Sequence, residues 1–120
     1  MADYEDLTID QGTDVAIELH LVDPDGSKKN LNGYTASATM KRSYSASSDD
    51  SDTVNFTTLI PEPKTDGVIT LSLDNTVTDA LNTRGRYVYD VEISFEDSDG
   101  NEIIERVLEG KIKVTPSVSR

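Results

Sequence analysis

"GRYVYDVEISFEDSDGNEI", Gly85 to Ile103, is the stretch whose reading decides the fold. Tyr87, Tyr89, Val91, Ile93 and Phe95 fall on one phase; Val88, Asp90, Glu92, Ser94 and Glu96 fall on the other. A period of two is the mark of a strand with one face buried, because successive side chains leave a pleated backbone on opposite sides. The run stops at Asp97-Ser98-Asp99-Gly100 and alternation resumes beyond it. An Asp-Gly pair between two alternating runs is a hairpin signal, since glycine takes up the positive φ that tight turns require.

The strand after this turn, "IIERVLEGKIKVTP", carries two phases. Ile103, Glu105 and Val107 share one phase, and Leu108, Gly110, Ile112 and Val114 share the other. A single extra residue flips the faces of everything beyond it, so the slip at Val107–Leu108 predicts a β-bulge. Pro116 ends the strand.

Upstream the same period recurs. "DVAIELHLV" puts Val15, Ile17, Leu19 and Leu21 on one face and Ala16, Glu18 and His20 on the other. "DPDG", Asp23 to Gly26, supplies a turn. Tyr34, Ala36, Ala38 and Met40 alternate through "GYTASATMKR", and the small alanines predict close approach by a neighbouring layer. "TVNFTTL" offers a short strand through Val54 and Phe56, and "VITLSL" places Ile69, Leu71 and Leu73 on one face. "DNTVTDALN", Asp74 to Asn82, is the one helical-looking piece, with Thr76 or Thr78 as its cap and Val77 and Leu81 four apart on one side.

About seven strands with turns between them predict an all-β, two-layer antiparallel sandwich with one short helical turn. At 120 residues the chain fits a single domain, 1–120, with one modest core. Three parts fall outside the expected sheets: an N-terminal arm (1–8), a Ser/Asp-rich loop (43–52) and a C-terminal tail (115–120). "SYSASSDDSD" in the loop is nearly devoid of apolar groups and cannot offset its ordering entropy by burial, so mobility is expected there.

Composition narrows the chemistry. There is no cysteine, which removes disulfides and thiolate metal sites. The acidic start "MADYEDLTID" argues against a secretory signal, and no run approaches the ~20 apolar residues of a membrane span. Synthesis in a cytoplasm, with no membrane partner, is the expectation. Acids outnumber bases 23 to 11, for a formal net charge of −12. Such a surface repels phosphate backbones and points away from nucleic acid. It serves solubility, suits a salty medium, or matches a basic partner.

The Asp-Gly turns raise a calcium reading, with Asp23, Asp25, Asp97 and Asp99 as candidate ligands. The helical calcium loop, however, needs its glycine at position six and a glutamate at position twelve. Here Gly26 and Gly100 stand at position four from Asp23 and Asp97. The turn reading is therefore preferred, and no metal or cofactor is expected. His20 is the only histidine and lies on the polar phase, so it builds neither a two-histidine metal site nor a visible triad. Carboxylate pairs could hydrolyse glycosides, but among 23 acids some pair is always present. No Gly-rich loop precedes a helix. No catalytic residue is assigned, and the expectation is a protein that is not an enzyme.

In immunoglobulin-like sandwiches a tyrosine near the start of the sixth strand ties its hydroxyl back to the upstream backbone. Tyr87, after the turn at Gly85, fits that position. Tyr89 stands where antibody domains place a cysteine. Gly85, Tyr87 and Tyr89 are thus read as structural.

The ordered motifs carry a wider resemblance. "IDQGTDVAIELHLVDPDGSKKNLNGYTASATMKRS" resembles the opening of small β-sandwich domains associated with the tails of tailed bacteriophages: Gln-Gly, an alternating strand, a D-x-D-G turn, then "L-x-G-Y-T". "DGVITLSLDNTVTDALNTRGRYVYDVEIS" is similar to their middle, with a short T-x-x-L turn before "G-x-Y-x-Y-D", and "VLEGKIKVTPSVSR" to their close. The likeness runs from Ile9 to Arg120. It implies a non-enzymatic virion protein, immunoglobulin-like in fold, docking in symmetric copies on other phage virion proteins in the tail, neck or baseplate. Such domains include the N-terminal part of upper baseplate proteins that anchor receptor-binding parts; with no coiled coil, fibre repeat or receptor-binding head in these 120 residues, a free-standing virion component is the expectation. The arm Met1 to Thr8, the loop Ser43 to Asp52 and the tail Thr115 to Arg120 are the candidate docking parts. A decoration protein of the phage head is the alternative. A host-glycan-binding module is a further one, disfavoured by the absence of Trp.

Overall fold

The computed structural model describes residues 3–43 and 53–117. The long alternating segments form the central strands: β3 (Val15–His20), β4 (Thr35–Lys41), β7 (Val68–Leu73), β8 (Arg86–Glu96) and β9 (Glu102–Thr115). Four short strands complete the set among the described residues: β1 (Asp3–Tyr4), β2 (Leu7–Asp10), β5 (Val54–Asn55) and β6 (Thr57–Leu59). The larger sheet runs β1-β9-β8-β4-β5, with β2 also on β9; the smaller runs β3-β7-β6. The chain is an all-β, immunoglobulin-like sandwich.

The apolar phases meet between the sheets. Tyr87, Tyr89, Val91 and Ile93 from β8 and Leu108, Ile112 and Val114 from β9 face Ile69, Leu71 and Leu73 of β7. Ala38 and Met40 of β4 are buried with them, and Phe56 closes one side. The close approach expected over the alanines is the passage of the 54–59 segment: the Phe56 amide donates to the Ala38 carbonyl at 2.9 Å, and the Thr58 hydroxyl donates to the Ala36 carbonyl at 2.9 Å.

The bulge lies where the phase slips. Val91 stands opposite Leu108 and Glu92 opposite Arg106, which leaves Val107 as the extra residue. After it, Leu108, Gly110, Ile112 and Val114 face inward.

Three expectations need correction. Of the expected arm, Met1 to Thr8, the described part is not free: Asp3–Tyr4 and Leu7–Asp10 pair with β9, and they do so in parallel, so the sandwich is not wholly antiparallel. Ile9 is buried and fixes this arrangement. The strand through Val54 and Phe56 is two strands. Val54–Asn55 pairs with β4 in the larger sheet, Phe56 drops into the core, and Thr57–Leu59 pairs with β7 in the smaller. The helix α1 (Asn75–Asp79) is capped by Asp74, not by Thr76 or Thr78. The Asp74 carboxylate accepts from the Val77 amide at 3.0 Å and the Thr76 hydroxyl at 2.6 Å. Its carboxyl is held below the usual value, first by the Thr76 hydroxyl and then by the Val77 amide. Thr78 is instead buried, donating its hydroxyl to the Thr13 carbonyl at 2.7 Å.

Candidate interaction surface

The Asp-Gly turns use their carboxylates locally. Asp25 accepts from the Ser27 amide at 2.9 Å and the Ser27 hydroxyl at 2.6 Å, and that hydroxyl chiefly holds its carboxyl below the usual value. Asp23 lies 3.8 Å from the Lys29 ammonium. Asp97 accepts from the amides of Asp99 and Asn101, each at 2.9 Å. Among the described residues no group of three or more acids or histidines converges as a metal site would require. His20 is exposed on β3, 3.1 Å from Glu18 on its own strand.

Tyr87 is fully buried, and its hydroxyl accepts the Asn82 amide proton at 2.8 Å, which ties the start of β8 back to the end of the helical turn. Gly85 takes a φ of +71° between the two. The Arg42 guanidinium lies over the Tyr87 ring, 5.0 Å from its centroid, a cation–π contact. Tyr89 works at longer range. Its ring lies across Gly110 on β9, and its hydroxyl donates to the Glu5 carbonyl at 2.6 Å. Burial first, then the charges of Glu5 and Asp6, raise its phenol above the ordinary value.

Gln11 is a residue whose role the sequence reading missed. Its amide nitrogen donates to the carbonyls of Asp79 at 3.1 Å and Leu81 at 3.4 Å, and its oxygen accepts from the Ser117 amide at 3.3 Å. One side chain joins the N-terminal strand, the helical turn and the chain after Pro116. The Gln-Gly, T-x-x-L and closing V-x-P motifs meet at this point. The signal was there in the motif set, but no local pattern announces a bond across 70 residues of sequence.

The outer face of the larger sheet carries the densest charge pattern. Arg106, presented just before the bulge, stands 3.4 Å from Asp90, 3.9 Å from Glu92 and 3.6 Å from Glu109. Beside it lies an open groove of about 400 Å³ reaching Thr39, Lys41 and Asn55. Among its lining residues Arg106 partners Asp90 and Glu92, and none of those lining residues is a histidine, cysteine or serine. Among the described residues no helix is long and apolar enough to cross a membrane.

Of the three candidate docking parts, residues 3–4 and 7–8 of the arm are strand-paired as described, with Glu5–Asp6 between them. The loop from Tyr44 to Asp52, Met1, Ala2 and residues 118–120 lie outside the described residues. Thr115 closes β9, its hydroxyl donating to Asp10 at 2.6 Å.

No protein-family model matches the chain, and no curated protein does. Among solved structures, murine CRIg is similar with a TM-score of 0.50 and 18% identity, over 92% of each chain. At that identity the likeness speaks for the immunoglobulin-like fold alone. AggA, the major subunit of aggregative adherence fimbriae type I from Escherichia coli, is similar with a TM-score of 0.40 and 8% identity, over 92% of this chain and 89% of that one.

Proposed function

We propose that this chain is a non-enzymatic structural protein of a tailed-bacteriophage particle, docking in several symmetric copies on other virion proteins in the tail, neck or baseplate. The observation that carries the reading is the ordered motif set from Ile9 to Arg120. Its support is that these motifs are the parts that hold the sandwich together: Gln11, the turn before β8, the Tyr87 and Tyr89 ties, and the closing strand. The grooves found among the described residues are open, a surface suited to contact with a neighbour rather than to enclosing a substrate. Symmetric repetition lets modest contacts suffice, because each added copy binds with an effective concentration set by its neighbours.

The test is a cryo-EM map of purified particles in which this fold is sought at head, neck and tail. Density in a tail, neck or baseplate ring is the expected outcome. Density on the head lattice would replace it with the decoration reading. Absence from the particle would overturn both, and selective retention on a glycan array would then favour the binding-module reading.

A further inference from the structure

A sandwich has sheet edges, and an uncovered edge strand presents alternate N–H and C=O groups to any chain that can pair with them. Three of the edges here are blunted. The β1–β2 edge is interrupted at Glu5–Asp6, where the Asp6 side chain, not a backbone carbonyl, accepts from the Lys111 amide. At the opposite edge of that sheet β5 has two residues, and in the smaller sheet β6 has three and ends just before Pro61. The remaining edge is β3. It runs six residues without proline, glycine or bulge, and among the described residues it pairs only with β7. The N-terminal strand, which could have covered it, lies wholly on β9.

The side chains of β3 bear the mark of a missing neighbour. Its core-phase residues Val15, Ile17 and Leu19 are only half-buried, whereas Ile69, Leu71 and Leu73, paired with them on β7, are buried. On the other face Ala16, Glu18 and His20 are exposed.

We infer that β3 is the docking edge for a second copy of this chain, pairing antiparallel to β3 of that copy about a two-fold axis at Ile17. The register follows from charge. A slip by an odd residue would turn the core phase of one copy to the solvent face of the other. Pairing centred on Glu18 sets two Glu18 carboxylates opposite each other, and pairing centred on Ala16 sets Glu18 opposite Asp14 twice; like charges directly opposed disfavour both. Centred on Ile17, Glu18 meets Ala16 of the other copy, and His20 meets Asp14. Val15 and Leu19 cover one another, and the three strands of each smaller sheet join into one continuous sheet. A single strand pair buries little area, so the association is weak in isolation and gains from repetition in an assembly. This inference does not depend on the virion reading, and its test does not involve particles.

The test uses the cross-strand neighbours Ala16 and Glu18. Sedimentation equilibrium at low ionic strength, from micromolar to millimolar chain, measures the dimerisation constant of the wild type, Ala16→Lys and Ala16→Glu. Each dimer holds the pair twice, so Ala16→Lys tightens association and Ala16→Glu weakens it, each by roughly fivefold, which is about 0.5 kcal/mol per pair. Unchanged thermal unfolding of dilute protein shows that both variants fold. Amide exchange on the wild type gives an independent reading: protection within Val15–His20 rises with concentration, while that within β6 does not. A wild type that stays monomeric at millimolar concentration overturns the inference. So do two variants that shift in the same direction, or concentration-dependent protection at another edge.

Discussion

Replacing Gly110 by alanine tests how the N-terminal strand is held. Gly110 sits on β9 where the Glu5 backbone crosses it. An added Cβ would lie 2.7 Å from the Glu5 carbonyl carbon, closer still to its oxygen, and 3.1 Å from the Tyr89 ring. The obstacle is backbone, so no side-chain rotation relieves it. β9 is fixed on its other side by the full ladder to β8, so the 3–6 segment is the part that gives way. Its displacement frays the two-residue β1–β9 ladder at the chain end and breaks three hydrogen bonds beyond it: Glu5 amide to Glu109 carbonyl at 2.9 Å, Lys111 amide to Asp6 at 3.1 Å, and Tyr89 hydroxyl to Glu5 carbonyl at 2.6 Å. At about 1 kcal/mol each, the loss is about 3 kcal/mol. Little apolar burial is forfeited, since Asp3 to Asp6 are exposed and Ile9 lies beyond the break.

Urea unfolding of the wild type, Gly110→Ala, a chain lacking residues 1–6, and the two changes combined gives a double-mutant cycle. The glycine substitution is expected to cost about 3 kcal/mol in the full chain, from the bonds above, and about 0.5 kcal/mol or less in the truncated one. An equal cost in both chains would refute the reasoning, because the clash would then lie within β8–β9 and not with the arm. Exchange at the Lys111 amide gives a second check, since it loses its acceptor only if the segment leaves.

Thr78→Val keeps shape but removes the buried hydroxyl that donates to the Thr13 carbonyl; a loss of about 1 kcal/mol is expected by denaturant titration, with Thr76→Val, on the exposed side, as the milder control. Tyr89 holds its proton more tightly folded than unfolded, so above the ordinary tyrosine range the unfolded chain ionises first and stability falls as pH rises towards the folded value; Tyr89→Phe should flatten this alkaline loss in a pH series of thermal melts. Tyr87→Phe removes the acceptor of the Asn82 amide and should lower stability by about 1 kcal/mol, with faster exchange at that amide. Calcium at micromolar levels should leave the melting temperature unchanged relative to magnesium, because the turn carboxylates of Asp25 and Asp97 already accept from their own backbone; a calcium-specific rise would restore the cation reading.

What was legible in the sequence was what repeats locally. β3, β4, β7 and β8 declared themselves by alternation, and the bulge at Val107 by a change of phase, because both follow from the geometry of one strand. Tyr87 was legible because its bond spans five residues and follows a fold-level pattern. The missed features are non-local. Strands β1 and β2 place only Leu7 and Ile9 towards the core, so "DYEDLTID" lacks an alternating signal, and its pairing is supplied by β9 about a hundred residues later. The sheet switch at Phe56 depends on Ala36 and Ala38 leaving room for it. At the helical turn three adjacent polar residues compete for the cap, and Thr78 loses because burial gives its hydroxyl the Thr13 carbonyl instead.

The N-terminal strand connects these points to the surface. The Asp6 bond to Lys111, the Tyr89 bond to Glu5 and the absent side chain at Gly110 all hold residues 3–6 against β9. Each is spent on keeping an acidic, largely exposed segment on the larger sheet, where it covers the edge that the long strand β9 would otherwise leave open. The same choice leaves β3 uncovered. If the arm were free to exchange between sheets, it would compete with a second copy for β3, and dimerisation would weaken as Gly110→Ala releases it. Stability and association are therefore coupled through one segment: a substitution that loosens β1 from β9 should lower the dimerisation constant even though it lies on the other sheet. Truncating residues 1–6 should remove that competition and leave pairing through β3 intact.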